Sequence, residues 1–88
     1  MSKDQDIKVK LSVNIISPKE SSAKEADFIQ APGKEGILGI APDHTKIVTL
    51  LRKGEVIIKE NNRADEKIPL NDGIIQVSNN NVDIFIND

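Results

Sequence analysis

The chain reads as an all-β domain, a sandwich or barrel of short strands, on three observations. Ile7, Val9, Leu11, Val13 and Ile15 alternate with Lys8, Lys10, Ser12 and Asn14, a period of two over nine residues. Turn-forming residues then recur at about 8–12-residue spacing, the rhythm of a sandwich or barrel. Val82, Ile84 and Ile86 repeat the alternation near the end. The opening run puts its apolar side chains on one strand face, whereas a helix would scatter them around its circumference.

The elements follow in order. Ser17-Pro18 ends the first strand, because proline has no N–H for a ladder. Residues 17–24 admit two readings. Ser17, Pro18 and Glu20 have the spacing of a helix N-terminus. No apolar stripe of period 3.6 follows, since Ala23 and Ala26 are poor anchors. A polar loop leading to a strand near residues 26–30 is therefore preferred, and Ser21, Ser22, Lys24 and Glu25 read as a solvated loop.

Pro32-Gly33 and Gly36 bracket a tight turn with Lys34-Glu35 at its tip, and Ile37-Leu38-Gly39-Ile40 is a short apolar strand. Pro42-Asp43 starts a turn before a strand over 46–51, and Lys53-Gly54 turns the chain into a strand over 55–60. A polar loop over 61–65 precedes Ile68 and Leu70. The Asp72-Gly73 pair predicts a type I′ hairpin, which needs positive φ. Ile75 and Val77 form the next strand, and Asn79-Asn80-Asn81 is a turn tolerant of the left-handed region. No repeat or linker interrupts this order, so one domain over 1–88 is expected, with 1–6 a flexible N-terminus.

Composition narrows the function. With 88 residues and 12 cations against 14 anions, the net charge is −2. A chain of this size buries only about 60–65% of its unfolded surface, so its core is thin. There is no Cys, which excludes disulfides and thiol chemistry. There is no Trp or Tyr and two Phe, so stacking platforms for single-stranded nucleic acid are lacking, as is the excess of cations that a phosphate backbone attracts. No apolar run approaches the roughly 20 residues of a membrane helix, and Met1 to Asp6 is too polar for a secretory signal. A small soluble domain without enzymatic activity is expected.

Candidate chemistry is sparse. His44, between Asp43 and Thr45, is the one imidazole and suits a hydrogen-bonded loop better than catalysis. Without a second His or a Cys no zinc set assembles, and no cofactor is expected. Gly33-Lys34-Glu35-Gly36 lacks the Gly-Lys-Ser/Thr of a phosphate loop, so its glycines read as turn residues, with Lys34-Glu35 a solvated tip or a contact loop. Ile47, Val48, Leu50 and Leu51 make both faces of one strand apolar, and Ile57, Ile74 and Phe85 fall out of phase. Such outward apolar residues read either as ordinary surface or as a docking face for another protein.

The segment Ala31-Pro32-Gly33-Lys34-Glu35-Gly36-Ile37-Leu38-Gly39-Ile40-Ala41-Pro42-Asp43-His44 resembles a motif of the epsilon subunit of F-type ATP synthase. The resemblance extends to the opening strand through Pro18, to Thr49-Leu50-Leu51-Arg52-Lys53-Gly54-Glu55-Val56-Ile57, to Asp72-Gly73-Ile74-Ile75-Gln76-Val77 and to the closing strand, about nine-tenths of the chain in order. Departures are Asp43 and Asp72 where the family has Gly, Lys46 where Pro is common, and Ile37 where an acid is frequent.

The resemblance implies a flattened β-sandwich of two roughly five-stranded sheets. It implies a rotor subunit of the central stalk, bound to the gamma subunit and the c-subunit ring, that couples proton-driven rotation to ATP synthesis without chemistry of its own. Lys34, Glu35, Gly36 and Ile37 would face the c ring. Ser17, His44, Thr45, Lys46 and Val48 would face gamma. Free, the subunit would be a monomer, with no nucleic-acid partner. In the cell it would be peripheral to the cytoplasmic face of a bacterial inner membrane, held there by the complex. The family continues into two inhibitory helices, some of which bind ATP; this chain stops where they would begin, so no C-terminal helical domain, inhibition or ATP binding is expected. The rival reading is a lipoyl or biotinyl carrier domain of similar size. Its target lysine sits in a Met-Lys-Met or Asp-Lys-Ala setting, which neither Lys34 nor Lys67 has.

Overall fold

Nine strands follow one another in a computed structural model that describes residues 9–87. They are β1 (Leu11–Ile16), β2 (Ser21–Ala26), β3 (Phe28–Gly33), β4 (Gly36–Ile40), β5 (Ile47–Leu51), β6 (Gly54–Lys59), β7 (Glu66–Leu70), β8 (Asp72–Ser78) and β9 (Asn81–Asn87). Among the described residues no helix forms. The expected flexible segment 1–6, and Ile7 and Lys8 of the expected first strand, lie outside the described residues.

The strands form two packed layers. One is β2-β1-β9-β8-β5 and the other β4-β3-β6-β7, joined where Gly33 of β3 pairs with Leu51 of β5. Around that pair the Lys34 N–H donates to the Leu50 carbonyl and the Arg52 N–H to the Pro32 carbonyl, both at 2.9 Å. The expected sandwich is present, with five and four strands continuous through this corner rather than two sheets of five. All pairs are antiparallel except β1–β9, which is parallel.

Period-two alternation decides the inward faces. Leu11, Val13 and Ile15 of β1, Ile75 and Val77 of β8, and Val82, Ile84 and Ile86 of β9 point into a core shared with Ile29, Ile40, Val56 and Ile58 of the second layer. Among the described residues no polar or charged residue is buried and every core side chain is aliphatic, so the core is held by apolar burial alone. On the far side Lys24 of β2 pairs with Glu66 of β7 at 3.0 Å, linking the outer strands of the two layers. Lys10 bonds Glu60 at 2.9 Å, and the Asn61 N–H bonds the Asp27 carboxylate at 2.7 Å, tying three segments together at one end.

Three expectations are corrected. Residues 21–26 are a strand, not a polar loop: Ser-Ser-Ala-Lys-Glu-Ala has no apolar alternation, yet it lies along β1 from Ile16↔Ser21 to Leu11↔Ala26. An edge strand needs its backbone ladder more than side-chain pattern. Ser17 and Glu20 do bond each other, through the Ser17 hydroxyl to the Glu20 N–H at 3.2 Å and carbonyl at 3.0 Å. They close the β1–β2 turn rather than start a helix.

Asp72-Gly73 is likewise no hairpin turn. Both residues lie in β8, and β7 pairs with β6 while β8 pairs with β5 and β9. The left-handed turn falls instead at Asn79 (φ 51°) and Asn80 (φ 64°), between Ser78 and Asn81, as the tolerance of that segment for positive φ predicted. Val9, expected on the core face, is exposed, because β1 begins two residues after it, where Ala26 ends its partner strand.

Candidate partner-binding surface

One row on the outer face of the five-stranded layer is apolar, where a two-layer sandwich ordinarily turns polar residues outward. Leu50 lies opposite Ile74, Ile74 opposite Phe85, and Phe85 beside Ile16, one row across β5, β8, β9 and β1. Leu50, Ile74 and Phe85 are all exposed, as is Val48 one row away at 68%. The inward partners on the same strand, Leu51 and Ile47, pack against the core. The strand with two apolar faces thus serves the core with one and offers the other to solvent. Ile57, the third residue out of phase in the sequence, is half-buried.

An open groove of about 670 Å³ borders the row, with Leu50, Ile74 and Phe85 inside it and Lys34, Arg52 and Lys53 around it. This groove is at the end of the sheet where β3 turns into β4. Gly33 pairs with Gly36 across that turn, with Lys34 and Glu35 exposed at its tip. Gly36 has φ 146°, a backbone shape that other residues rarely adopt, so the turn depends on glycine there. Ile37, next in β4, is 65% exposed. The four residues expected to face the c ring are therefore one contiguous patch.

The second expected set is divided. Thr45 and Lys46 are exposed and His44 half-buried in the segment before β5, beside outward Val48. The His44 N–H donates to the Ala41 carbonyl at 3.2 Å, and its ring Nδ1 lies 2.7 Å from the Thr45 carbonyl. A carbonyl only accepts, so Nδ1 is the donor in that bond. Ser17 follows Ile16, which is level with Leu50, whereas Lys46 lies four residues before Leu50, just ahead of β5. That places Ser17 and the segment 44–46 at opposite ends of the sheet, with about 17 Å along the strand direction between the levels of Ser17 and Lys46. What lies between them is the apolar row.

Leu50, Ile74 and Phe85 are marked in the sequence by their broken phase but belong to neither set; Ile16 carries no signal, and Asn80 carries only that of a turn. Asn80 reaches the segment before His44 from 37 residues away: its side chain accepts from the Asp43 N–H at 2.6 Å and donates to the Asp43 carboxylate at 3.2 Å. Among the described residues no three His, Cys, Asp or Glu side chains converge on a metal-sized space. The surface offers apolar area, two exposed turns and cations.

Residues 10–88 match the family described as ATP synthase, Delta/Epsilon chain, beta-sandwich domain. Among similar sequences are three ATP synthase epsilon chains. That of Janthinobacterium sp. is 39% identical over 69 residues, 76% of this chain and 49% of the relative. That of Alkalilimnicola ehrlichii is 35% identical over 76 residues, 85% and 54%, and that of Elusimicrobium minutum 35% over 78 residues, 86% and 57%. The fold is shared with a chain in the OSCP, F1 and c-ring part of Euglena gracilis mitochondrial ATP synthase, at TM-score 0.83 and 18% identity, covering 91% of this chain and 52% of that one. A chain in the central stalk and c ring of the Tetrahymena thermophila mitochondrial enzyme gives 0.73 at 23% identity, covering 92% and 66%. The chain spans about half the length of the curated relatives it matches.

Proposed function

We propose a function from one premise: the chain belongs to the ATP synthase delta/epsilon chain family, whose β-sandwich domain it carries over residues 10–88. It acts as an epsilon-type subunit of the central stalk, joining gamma to the c ring so that proton-driven rotation is coupled to ATP synthesis. It performs no bond chemistry itself and is monomeric when free. It is peripheral to the cytoplasmic face of a bacterial inner membrane, through the complex. Residues 1–88 act as one domain in this role.

The observation that carries this reading is the outward row of Leu50, Ile74 and Phe85 with Val48 beside it. Contiguous apolar surface on a small protein marks a docking site. The row fits gamma, flanked by Ser17 at one end and by His44, Thr45 and Lys46 at the other. The exposed patch of Lys34, Glu35, Gly36 and Ile37 fits the polar loops of the c ring. A carrier-domain reading has less support: Lys34 stands between Gly33 and Glu35, and the family match spans the chain.

Co-expression with a gamma subunit tests the reading. A one-to-one complex on size exclusion is expected, and separate elution in gentle salt would count decisively against it. An intact mass bearing a lipoyl or biotinyl adduct after co-expression with the ligase would favour the carrier.

A further inference from the structure

Asp43 occupies the left-handed region at φ 66°, at the head of the segment that presents His44, Thr45 and Lys46. That region is uncommon for residues other than glycine, although Asn and Asp enter it more readily than most. The conformation is held from outside the segment. Asn80 accepts from the Asp43 main-chain N–H at 2.6 Å and donates to its carboxylate at 3.2 Å, so one side chain grips both the backbone and the side chain of the same residue.

Asn80 is itself anchored. It lies in the β8–β9 turn, and its carbonyl accepts from the Ser12 N–H of β1 at 2.8 Å. Three strands of the rigid layer thereby fix the position of its amide. Within the segment, the bonds are the longer His44 N–H to Ala41 carbonyl contact at 3.2 Å and the contact between the His44 ring and Thr45. Both are local, so they move with the segment instead of orienting it against the sheet.

We propose that Asn80 is the positioning residue of the partner-facing segment, holding Asp43 in its left-handed conformation so that His44, Thr45 and Lys46 meet the partner in one orientation. The proposal rests on the gamma-facing role given to those residues. Released from Asn80, Asp43 gains access to the ordinary negative-φ regions, and rotation there re-aims all three following residues. Affinity then falls in proportion to the fraction of molecules still holding the competent orientation. Loss of two hydrogen bonds of ordinary net strength lowers that fraction about tenfold.

Asn80 also serves its own hairpin turn, and the variants separate the two roles. Asn80→Gly keeps a residue suited to φ 64° and removes the amide. Asn80→Asp keeps an acceptor but sets one carboxylate against another. The double variant Asp43→Asn with Asn80→Asp swaps the partners and restores both bonds with the side-chain donor and acceptor exchanged, at a position that Asn also tolerates.

Two readouts apply to the full chain: the dissociation constant for a gamma subunit and amide hydrogen exchange at residue 43. Asn80→Gly and Asn80→Asp are expected to weaken binding about tenfold and speed exchange at residue 43 by a similar factor, with the global melt retained. The swapped pair should recover both. Wild-type affinity in Asn80→Gly, or a folded swap that recovers neither readout, would overturn the proposal. A wild-type chain that does not bind gamma at all would instead remove the functional reading, and with it the partner role of Asn80.

Discussion

Gly73 faces the Phe85 carbonyl across the β8–β9 pair so closely that a Cβ on Gly73 would overlap that oxygen. The contact explains why a glycine stands inside a strand, where it ordinarily weakens the ladder. Gly73 is extended, not turned, and its value is the space it leaves. The same close approach sets Ile74 opposite Phe85 on the outer face.

Gly73→Ala should therefore destabilise the domain by pushing β8 from β9. Overpacking of this kind costs about 1–3 kcal/mol. For a domain of this size that lowers the melting temperature by on the order of 10 °C. A circular-dichroism melt measures it, and an unchanged midpoint would show that the pair spreads freely.

Val48→Asp and Leu50→Asp should leave the melt nearly unchanged, because both side chains point to solvent. The same changes should abolish the complex with gamma, since a carboxylate desolvated in an apolar contact costs on the order of 2–4 kcal/mol of binding. Size exclusion after co-expression reads the second effect. A lowered melt with intact assembly would place these residues in the fold's stability and not at the interface.

Changing Lys34 and Glu35 together to Ala should leave stability within about 0.5 kcal/mol, as both are exposed at a turn tip. Coupling to the membrane ring should fall, measured as proton-pumping driven by ATP hydrolysis in vesicles that carry the assembled enzyme. Full coupling in the double variant would remove the c-ring assignment of this turn.

Lys10 gives the domain a small stabilising contact that weakens at alkaline pH. Its hydrogen bond to Glu60 raises its ammonium pKa above the ordinary 10.5, opposed by desolvation and aided by the charges of Asp27, Glu60 and Glu25. A raised folded pKa means that the contribution to stability is complete below 10.5 and is lost as pH climbs through the folded value. Lys10→Gln should melt lower than wild type at neutral pH, and the gap should close as pH climbs through the raised folded value. A gap that persists unchanged at high pH would assign the effect to packing of the lysine stem.

Much of this architecture is legible in single side chains. The alternation from Leu11 to Ile15 and from Val82 to Ile86 names the inward faces of β1 and β9, because a strand buried on one side needs every second residue apolar. The broken phase at Leu50, Ile74 and Phe85 names an outward apolar set for the same reason in reverse. By contrast, residues 21–26 form a strand by lending backbone to β1, and backbone hydrogen bonding is common to all residues. Asp72-Gly73 and Asn79-Asn80 carry similar turn chemistry, and nothing local distinguishes the pair that turns from the pair that runs straight.

The amino-acid order by itself determined the all-β class, the alternating core, the turn at Lys34-Glu35 and a surplus of outward apolar residues. These follow from period, proline, glycine and polarity, which act over a few residues. Tertiary structure alone decided that β1 lies parallel to β9, that Leu50, Ile74 and Phe85 align into one row, and that Ser17 and His44 stand at opposite ends of that face. It also brought Asn80 to Asp43 across 37 residues. Register and contact between distant segments depend on how two layers close over a shared core, and no local pattern of side chains encodes which strand will be the neighbour.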